Sequence, residues 1–473
     1  MAAPTQHVLV LGSGFCAGPL VVYLSQHGYG VKVASRTLER AEKMIAGLDN
    51  VEALELDITH DSAEARLHEL VPDVDLVVSM LPYIYHVKAA KVAIAHKKHF
   101  ATTSYVSDAM RELEADAKDA GIILLNECGV DPGTDHASAM KIVHEVQSKG
   151  GYIKSFSSYC GGLPAPHFND NPMGYKLSWA PRGVLLAGRN TAKFKKDGEE
   201  VTIPGEDLFD SYEDMHVPGF GPLEGYPNRD STQYEEIYGL TGIQDLVRGT
   251  FRYPGWCATI KKMVDLGLMS LEEDNSLPGK PYPELVEMLV TAKGGPFDAA
   301  DPAGSVAGVL GLEKDSVIVK KMAWLGLFDA SKPIPPAGNT PLDALSALCE
   351  ERMQYGPGEQ DCIVMLHQFK VEYDDGRKEH ISSRLISVGK QPDGGSAMAR
   401  TVALPVAIAI DLILQGEFND LTGIQIPITP RLYNPILEGL AKEGIEWEET
   451  VVSVVPQQSS STVNSAAPSP TSS

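Results

Sequence analysis

Along the first 130 residues, short apolar and β-branched runs alternate with longer stretches whose apolar positions recur at helical spacing. Strands are expected in the run opening at His7, in VKVASR (Val31 to Arg36), VEALELD (Val51 to Asp57), VDLVVSML (Val74 to Leu81), HFATTS (His99 to Ser104) and IILLNECG (Ile122 to Gly129). Helices are expected between them, at about Phe15 to His27, in TLERAEKMIAGL, near Asp61 to Leu70 and in YIYHVKAAKVAIAHKK. Strands that alternate with helices pair in parallel through right-handed crossovers, which predicts a doubly wound α/β sheet with its ligand beyond the carboxyl ends of the strands.

After residue 130 the pattern changes. A helix near Asp135 to Ser148 leads into the strand YIKSFSSYCGG, and Leu163 to Asp230 is rich in Gly, Pro and aromatic residues, as expected of a mixed α/β region with long loops. From about Thr232 to Glu351 the periodicity is helical, as in PELVEMLVTAK and DALSALCEERM. KKMVDLGLM (Lys261 to Met269) is echoed by KKMAWLGLF (Lys320 to Phe328), which is either a pair of similar helix ends or a coincidence. DCIVMLHQFKVEY, DDGRK and EHISSRLISVG predict a β-hairpin around an Asp-Gly turn. SAMARTVALPVAIAIDLILQG is apolar nearly all round, so a helix there must be buried and is expected to return to the first domain. PQQSSSTVNSAAPSPTSS has almost nothing to bury and predicts a disordered tail.

The first strand runs straight into glycines in HVLVLGSGFCAG, a turn that lets a dinucleotide pyrophosphate meet bare backbone. Gly12 permits the tight turn, Gly14 removes a Cβ that would block the phosphates, and Gly18 is expected to let the next helix pack on the strand. Ser13, Phe15 and Cys16 fill the same turn and belong with it to a cofactor-binding, Rossmann-type domain. The second strand closes on Ser35, Arg36 and Thr37 instead of the acid that would take a ribose 2′-hydroxyl. A guanidinium flanked by two hydroxyls suits a 2′-phosphate, so the expected cofactor is NADP(H). Asp57 and Ile58 close the third strand near the adenine edge, and Leu81 and Thr103 close the next two, nearer the nicotinamide half.

At 473 residues the chain is too long for one core. A net charge of −23 provides no overall basic field, which argues against nucleic acid or an anionic membrane as partner and means that an anionic substrate needs local arginines. The six cysteines, at 16, 128, 160, 257, 349 and 362, have no metal-ligand spacing and read as reduced thiols of a cytoplasmic protein with no metal. No secretory signal or membrane anchor is expected.

NECGVDPGTDH (Asn126 to His136), SYCGGLPAP (Ser158 to Pro166), NPMGYKLSWAPRGVLLAG (Asn171 to Gly188), YPNRDS (Tyr226 to Ser231) and GTFRYPGWC (Gly249 to Cys257) together closely resemble the saccharopine reductases, NADP-dependent enzymes of lysine biosynthesis. The resemblance implies NADPH-dependent condensation of 2-aminoadipate 6-semialdehyde with glutamate to give saccharopine, in a homodimer. It implies three domains: residues 1–130 with 395–455 for the dinucleotide, 131–231 with 355–394 as a mixed α/β substrate and dimerisation domain, and 232–354 all-helical, followed by the tail at 456–473. It also implies that Arg229, Thr250, Phe251 and Arg252 bind saccharopine carboxylates, with Ser104 and Asp131 completing the pocket, and that Tyr105 and Cys160 lie near the reacting carbon.

The residue types suit that chemistry. Saccharopine carries three carboxylates and a secondary ammonium, and guanidinium forks hold carboxylates best. The competing reading for each arginine is an ion pair with a neighbouring acid such as Asp230, and Arg182 is an undecided third. Asp131 follows the sixth strand, where a carboxylate could hold the substrate ammonium or could merely cap a helix. Cys160 is equally a packing thiol and Tyr105 a pocket wall. Two alternatives remain at this point: an imine reductase of polyamine synthesis, whose cationic substrates would need acids where this chain has arginines, and a non-catalytic NADP(H) sensor.

Overall fold

The computed structural model describes residues 4–390 and 394–454. The expected tail at 456–473 lies outside the described residues. Strands β1 (His7–Leu11), β2 (Gly30–Ser35), β3 (Val51–Glu55), β4 (Leu76–Ser79), β5 (His99–Thr102) and β6 (Ile123–Leu125) alternate with helices and pair in parallel. The central strands β1 and β4 carry fully buried runs of Val and Leu, because helices cover both faces of the sheet.

A second sheet is built from β7 (Gly151–Pro164), β8 (Ala192–Lys196), β9 (Glu199–Ile203), β10 (Glu213–Val217), β11 (Gly221–Pro227), β12 (Asp245–Arg252), β13 (Asp361–Tyr373) and β14 (Lys378–Val388). The hairpin forms as expected, with β13 and β14 antiparallel about Asp374 to Arg377. β15 (Gly423–Gln425) returns to pair with β6, giving the first sheet the order β15-β6-β5-β4-β1-β2-β3. β16 (Glu448–Val454) pairs instead with β14 and ends the path β10-β11-β12-β7-β13-β14-β16.

Two expected boundaries therefore move. Residues 448–454 extend the second sheet, although 395–455 was expected to complete the first domain. The all-helical stretch expected from residue 232 contains β12, and the succession of helices begins only at Trp256. Gly249 disguises that strand. A Cβ there would lie 2.2 Å from the ring of Tyr159, so the position must be bare for β12 to lie beside β7.

The long apolar helix Ala397–Leu414 packs in one core with Val8, Val10, Leu20 and Leu24 of the first domain. It is the one helix among the described residues long and apolar enough to cross a membrane, and 83% of it is buried inside the fold. Asp361 at the start of β13 caps it, accepting the amides of Ala397 at 2.6 Å and Met398 at 2.8 Å. The echoed motifs are matched helix ends: Gly267 and Gly326 have φ of 100° and 102°. The next residue in each, Leu268 or Leu327, is buried and bonds back to Met263 or Met322.

Candidate functional site

The glycine turn sits where β1 meets the end of β4. Gly12 has φ 105°, and a Cβ on it would lie 3.1 Å from the Met80 carbonyl oxygen and 3.4 Å from Leu81. A Cβ on Gly14 would meet nothing within 4 Å, so the polypeptide itself does not require a glycine there. The same holds for Gly18, which overturns its expected role in helix packing. The buried small residue of that turn is Ala17. No side chain caps the helix Ala17–Gln26; the Ala17 amide bonds back to the Gly14 carbonyl at 3.2 Å and Pro19 has none, so Gly18 supplies the helix amide left for an anion.

Ser13 and Ser35 join the first two strand ends through a 2.7 Å hydroxyl bond. Arg36 is exposed and makes no ion pair among the described residues. Arg40, which the sequence reading missed, lies one helical turn on, with its guanidinium 5.2 Å from the ring centroid of the exposed Phe15. Asp57 is committed to the amide and hydroxyl of Thr59, and these bonds hold its carboxyl below the usual range. Ile58 is buried in the core, so only its backbone is left for a ligand. Cys16 is half-buried, and burial pushes its thiol up to about 11. A bare phosphate cradle beside free cations fits a phosphorylated dinucleotide.

Beyond the ends of β5 and β6 lies a cavity of about 200 Å³ walled by Tyr105, Glu127, Asp131, Arg229, Tyr234 and Arg248. Arg248, not anticipated from sequence, organises it. Its guanidinium reaches Asp131 Oδ1 at 2.6 Å, contacts Asp135 Oδ2 and lies over the Tyr234 ring at 4.3 Å. Tyr105 donates to the same Asp131 oxygen at 3.2 Å, which leaves Asp131 Oδ2 without a partner among the described residues. Burial pushes the Asp131 carboxyl up, and Arg248 opposes that shift. Burial pushes Asp135 the same way, but His136, Arg248 and the Gly133 amide outweigh it and hold Asp135 below the usual range. Behind them His136 bonds Glu127 at 2.8 Å and the Tyr238 hydroxyl.

Arg229 has φ 53° and stacks over Tyr105 at 5.3 Å. It is not paired with Asp230, whose carboxylate instead holds the amide and hydroxyl of Thr232. Arg182 pairs with Asp343 at 2.7 Å and stands apart from this group.

Alternation along β12 puts Arg248, Thr250 and Arg252 on one face. Phe251 points the other way, into the core against Tyr159, so only its backbone is left for the substrate contact expected of it. Arg252 is buried between Tyr175 and Trp256, 4.8 Å and 5.5 Å from their ring centroids, and no described carboxylate is in ion-pairing range. Its strand neighbour Glu224 is engaged elsewhere, accepting the amides of Gly255 at 2.5 Å and Cys257 at 2.8 Å. Cys160 lies beside Thr250 in register. Burial and then Asp131 push its thiol well above its ordinary value, so it is neither a thiolate nor a general base at neutral pH. Burial does the same to Tyr105.

Ser104 is positioned by a histidine that the sequence reading also missed. His86 Nε2 bonds the hydroxyls of Ser104 at 2.8 Å and Thr102 at 3.1 Å, and Nδ1 bonds Ser79 at 2.8 Å. Burial lowers its pKa to about 4, so the ring is neutral. Thr103, next to Ser104, packs against Gly129, where a Cβ would lie 3.1 Å from that of Thr103.

Two family models match the chain, the saccharopine dehydrogenase NADP binding domain over residues 8–125 and the saccharopine dehydrogenase C-terminal domain over residues 129–445. The NADP(+)-dependent, L-glutamate-forming saccharopine dehydrogenase of Pyricularia oryzae is 43% identical over 95% of this chain and 99% of its own. That of Saccharomyces cerevisiae is 42% identical over 94% and 99%. The mitochondrial alpha-aminoadipic semialdehyde synthase of Mus musculus is 37% identical over 93% of this chain, which spans only 47% of that longer protein. The apo structure of the yeast L-Glu-forming enzyme superposes with a TM-score of 0.85 at 39% identity, covering 94% of this chain and 100% of that one. A homospermidine synthase from Legionella pneumophila has a TM-score of 0.56 at 9% identity over 95% and 92% of the two chains, a likeness of fold alone.

Proposed function

The chain belongs to the saccharopine dehydrogenase family, and from that premise we propose that it joins L-2-aminoadipate 6-semialdehyde to L-glutamate and reduces the product with NADPH to L-saccharopine, reversibly, in lysine biosynthesis. It is an NADP-dependent oxidoreductase. The observation that carries the substrate assignment is the arginine set: among the described residues Arg229 and Arg252 have no ion-pairing acid, as required of anchors for a multiply anionic substrate. A polyamine substrate would leave both cations unanswered.

The glycine turn, the N-terminal end of the helix Ala17–Gln26 and Arg36 would hold the phosphates of NADP(H), with Ser35 and Thr37 beside Arg36. When bound, the cofactor supplies the hydride. The protein supplies position and charge. Arg252 and Arg229 take substrate carboxylates. Arg248, which holds Asp131, stands four positions before Arg252, about 13 Å along β12, so an extended three-carboxylate conjugate can reach from the Arg252 end to Asp131. Asp131, whose ionised form Arg248 favours against the push of burial, offers Oδ2 to the substrate nitrogen and stabilises positive charge as the carbinolamine loses water. Tyr105 and Cys160, both protonated, wall that space. No residue here need act as an obligatory base, because the attacking amine and its own protons can serve.

A homodimer formed through the second sheet, and a cytoplasmic location for a chain whose six cysteines are all free, belong to the same reading. The test is a steady-state assay: NADPH should be consumed only when glutamate and the semialdehyde are both present, and NADP⁺ should be reduced by saccharopine. Absence of both reactions in folded protein overturns the proposal, and leaves an NADP(H)-binding protein of another kind.

A further inference from the structure

We infer that the Trp256 indole N–H is a second donor to the substrate carboxylate at Arg252, so that the two residues form a dry subsite selective for a carboxylate over a neutral amide. The inference rests on the function proposed above and adds a residue that neither the sequence motifs nor the arginine set required.

Trp256 opens the helix Trp256–Leu266 directly after the turn that follows β12, and it is only 4% exposed. Its Nε1 has no hydrogen-bond partner, and neither has Nε of Arg252, which is 6% exposed. Buried N–H groups are almost always bonded, so two orphaned donors in adjacent side chains mark the place of an acceptor. Leaving such donors bare costs the full desolvation of each group. The guanidinium carbon lies 5.5 Å from the indole centroid and 4.8 Å from the ring of Tyr175, and those two rings are 4.9 Å apart. One guanidinium nitrogen is already spent on the Phe251 carbonyl at 2.7 Å, which fixes the fork.

Among the described residues no carboxylate pairs with Arg252. Glu224, opposite Arg252 in the strand register, gives both its oxygens to the amides of Gly255 and Cys257. Those bonds also set the helix start that places Trp256 beside Arg252. The nearby Lys321 donates to the Gly255 carbonyl at 2.9 Å and is likewise buried. A corner with surplus positive charge and donors only fits a carboxylate, which accepts at both oxygens. An amide group would turn an N–H toward one of these donors and leave a hydrogen bond unmade.

The test uses W256F, which keeps a ring against Arg252 and removes the donor. In saccharopine oxidation the variant should show KM raised about tenfold, kcat within about twofold of wild type and an unchanged or higher Tm. The three monoamides of saccharopine then locate the contact. One of them, and no other, should bind wild type and W256F alike, because it lacks the carboxylate that Trp256 holds. An unchanged KM, or the same loss for all three monoamides, overturns the inference. If wild type does not oxidise saccharopine, the proposed function fails separately, and calorimetry with glutarate as a dicarboxylate probe decides the subsite: weaker binding to W256F supports it and equal binding overturns it.

Discussion

Arg248 and Arg252 project from the same face of β12, yet Arg248 is bound to two carboxylates while Arg252 has none. One guanidinium is committed to building the site and the other is left for a ligand. That difference sets opposite expectations for their removal.

Removing a buried charge that has no described carboxylate partner relieves desolvation without breaking an ion pair. Arg252→Met is therefore expected to leave Tm of the ligand-free protein unchanged or higher, measured by calorimetry. A fall of several degrees would show that Arg252 supports the fold and does not await a substrate.

Arg248 opposes the upward push of burial on Asp131. In Arg248→Gln the carboxyl should stay protonated to higher pH, so the acid limb of the kcat/KM profile for saccharopine should move upward, while Arg248→Lys should keep most of the wild-type limb. Superimposable limbs in wild type and Arg248→Gln would remove Asp131 ionisation from the account.

Arg36→Ala is expected to weaken NADPH about tenfold to a hundredfold while changing NADH little, read as the ratio of their dissociation constants. A constant ratio would take the 2′-phosphate away from Arg36. In that case Arg40, beside Phe15, is the next cation to test.

His86 is neutral in the fold, with its pKa lowered to about 4 from an ordinary 6.5. Burial lowers that of His367 to about 3. The unfolded chain takes up these protons first as pH falls, so stability is full above about 6.5 and is lost as pH drops toward 4 and 3. The His86 share is on the order of 3 kcal/mol. Chemical denaturation of wild type and His86→Gln at several pH values should show a shallower loss below pH 6.5 in the variant. Parallel curves would show that His86 does not carry that share.

The βα rhythm, the glycine turn, the hairpin and the buried C-terminal helix were legible because each follows from a local period or a turn residue. β12 was not. Gly249 breaks its apolar alternation, and its partners β7 and β11 come from distant segments, so nothing nearby in sequence marks it as a strand. Misplacing β12 among helices hid Arg248, although it stands two residues from Thr250 and four from Arg252, a spacing that a strand reading would have put on one face. Arg229, Arg252, Asp131 and Tyr105 were legible through motifs. Asp135, His136, Glu127 and His86 act through bonds across the fold that no single segment reveals. Gly18 was misjudged because glycine spacing alone does not tell a packing role from an open approach.

The central claim is that arginines with no ion-pairing acid among the described residues hold the carboxylates of saccharopine. Its most direct measurement is the KM for saccharopine, at saturating NADP⁺, in wild type, Arg229→Met and Arg252→Met. A rise of about tenfold to a hundredfold in each variant, with kcat/KM for each falling in step, is the predicted result. A KM unchanged in both would contradict it.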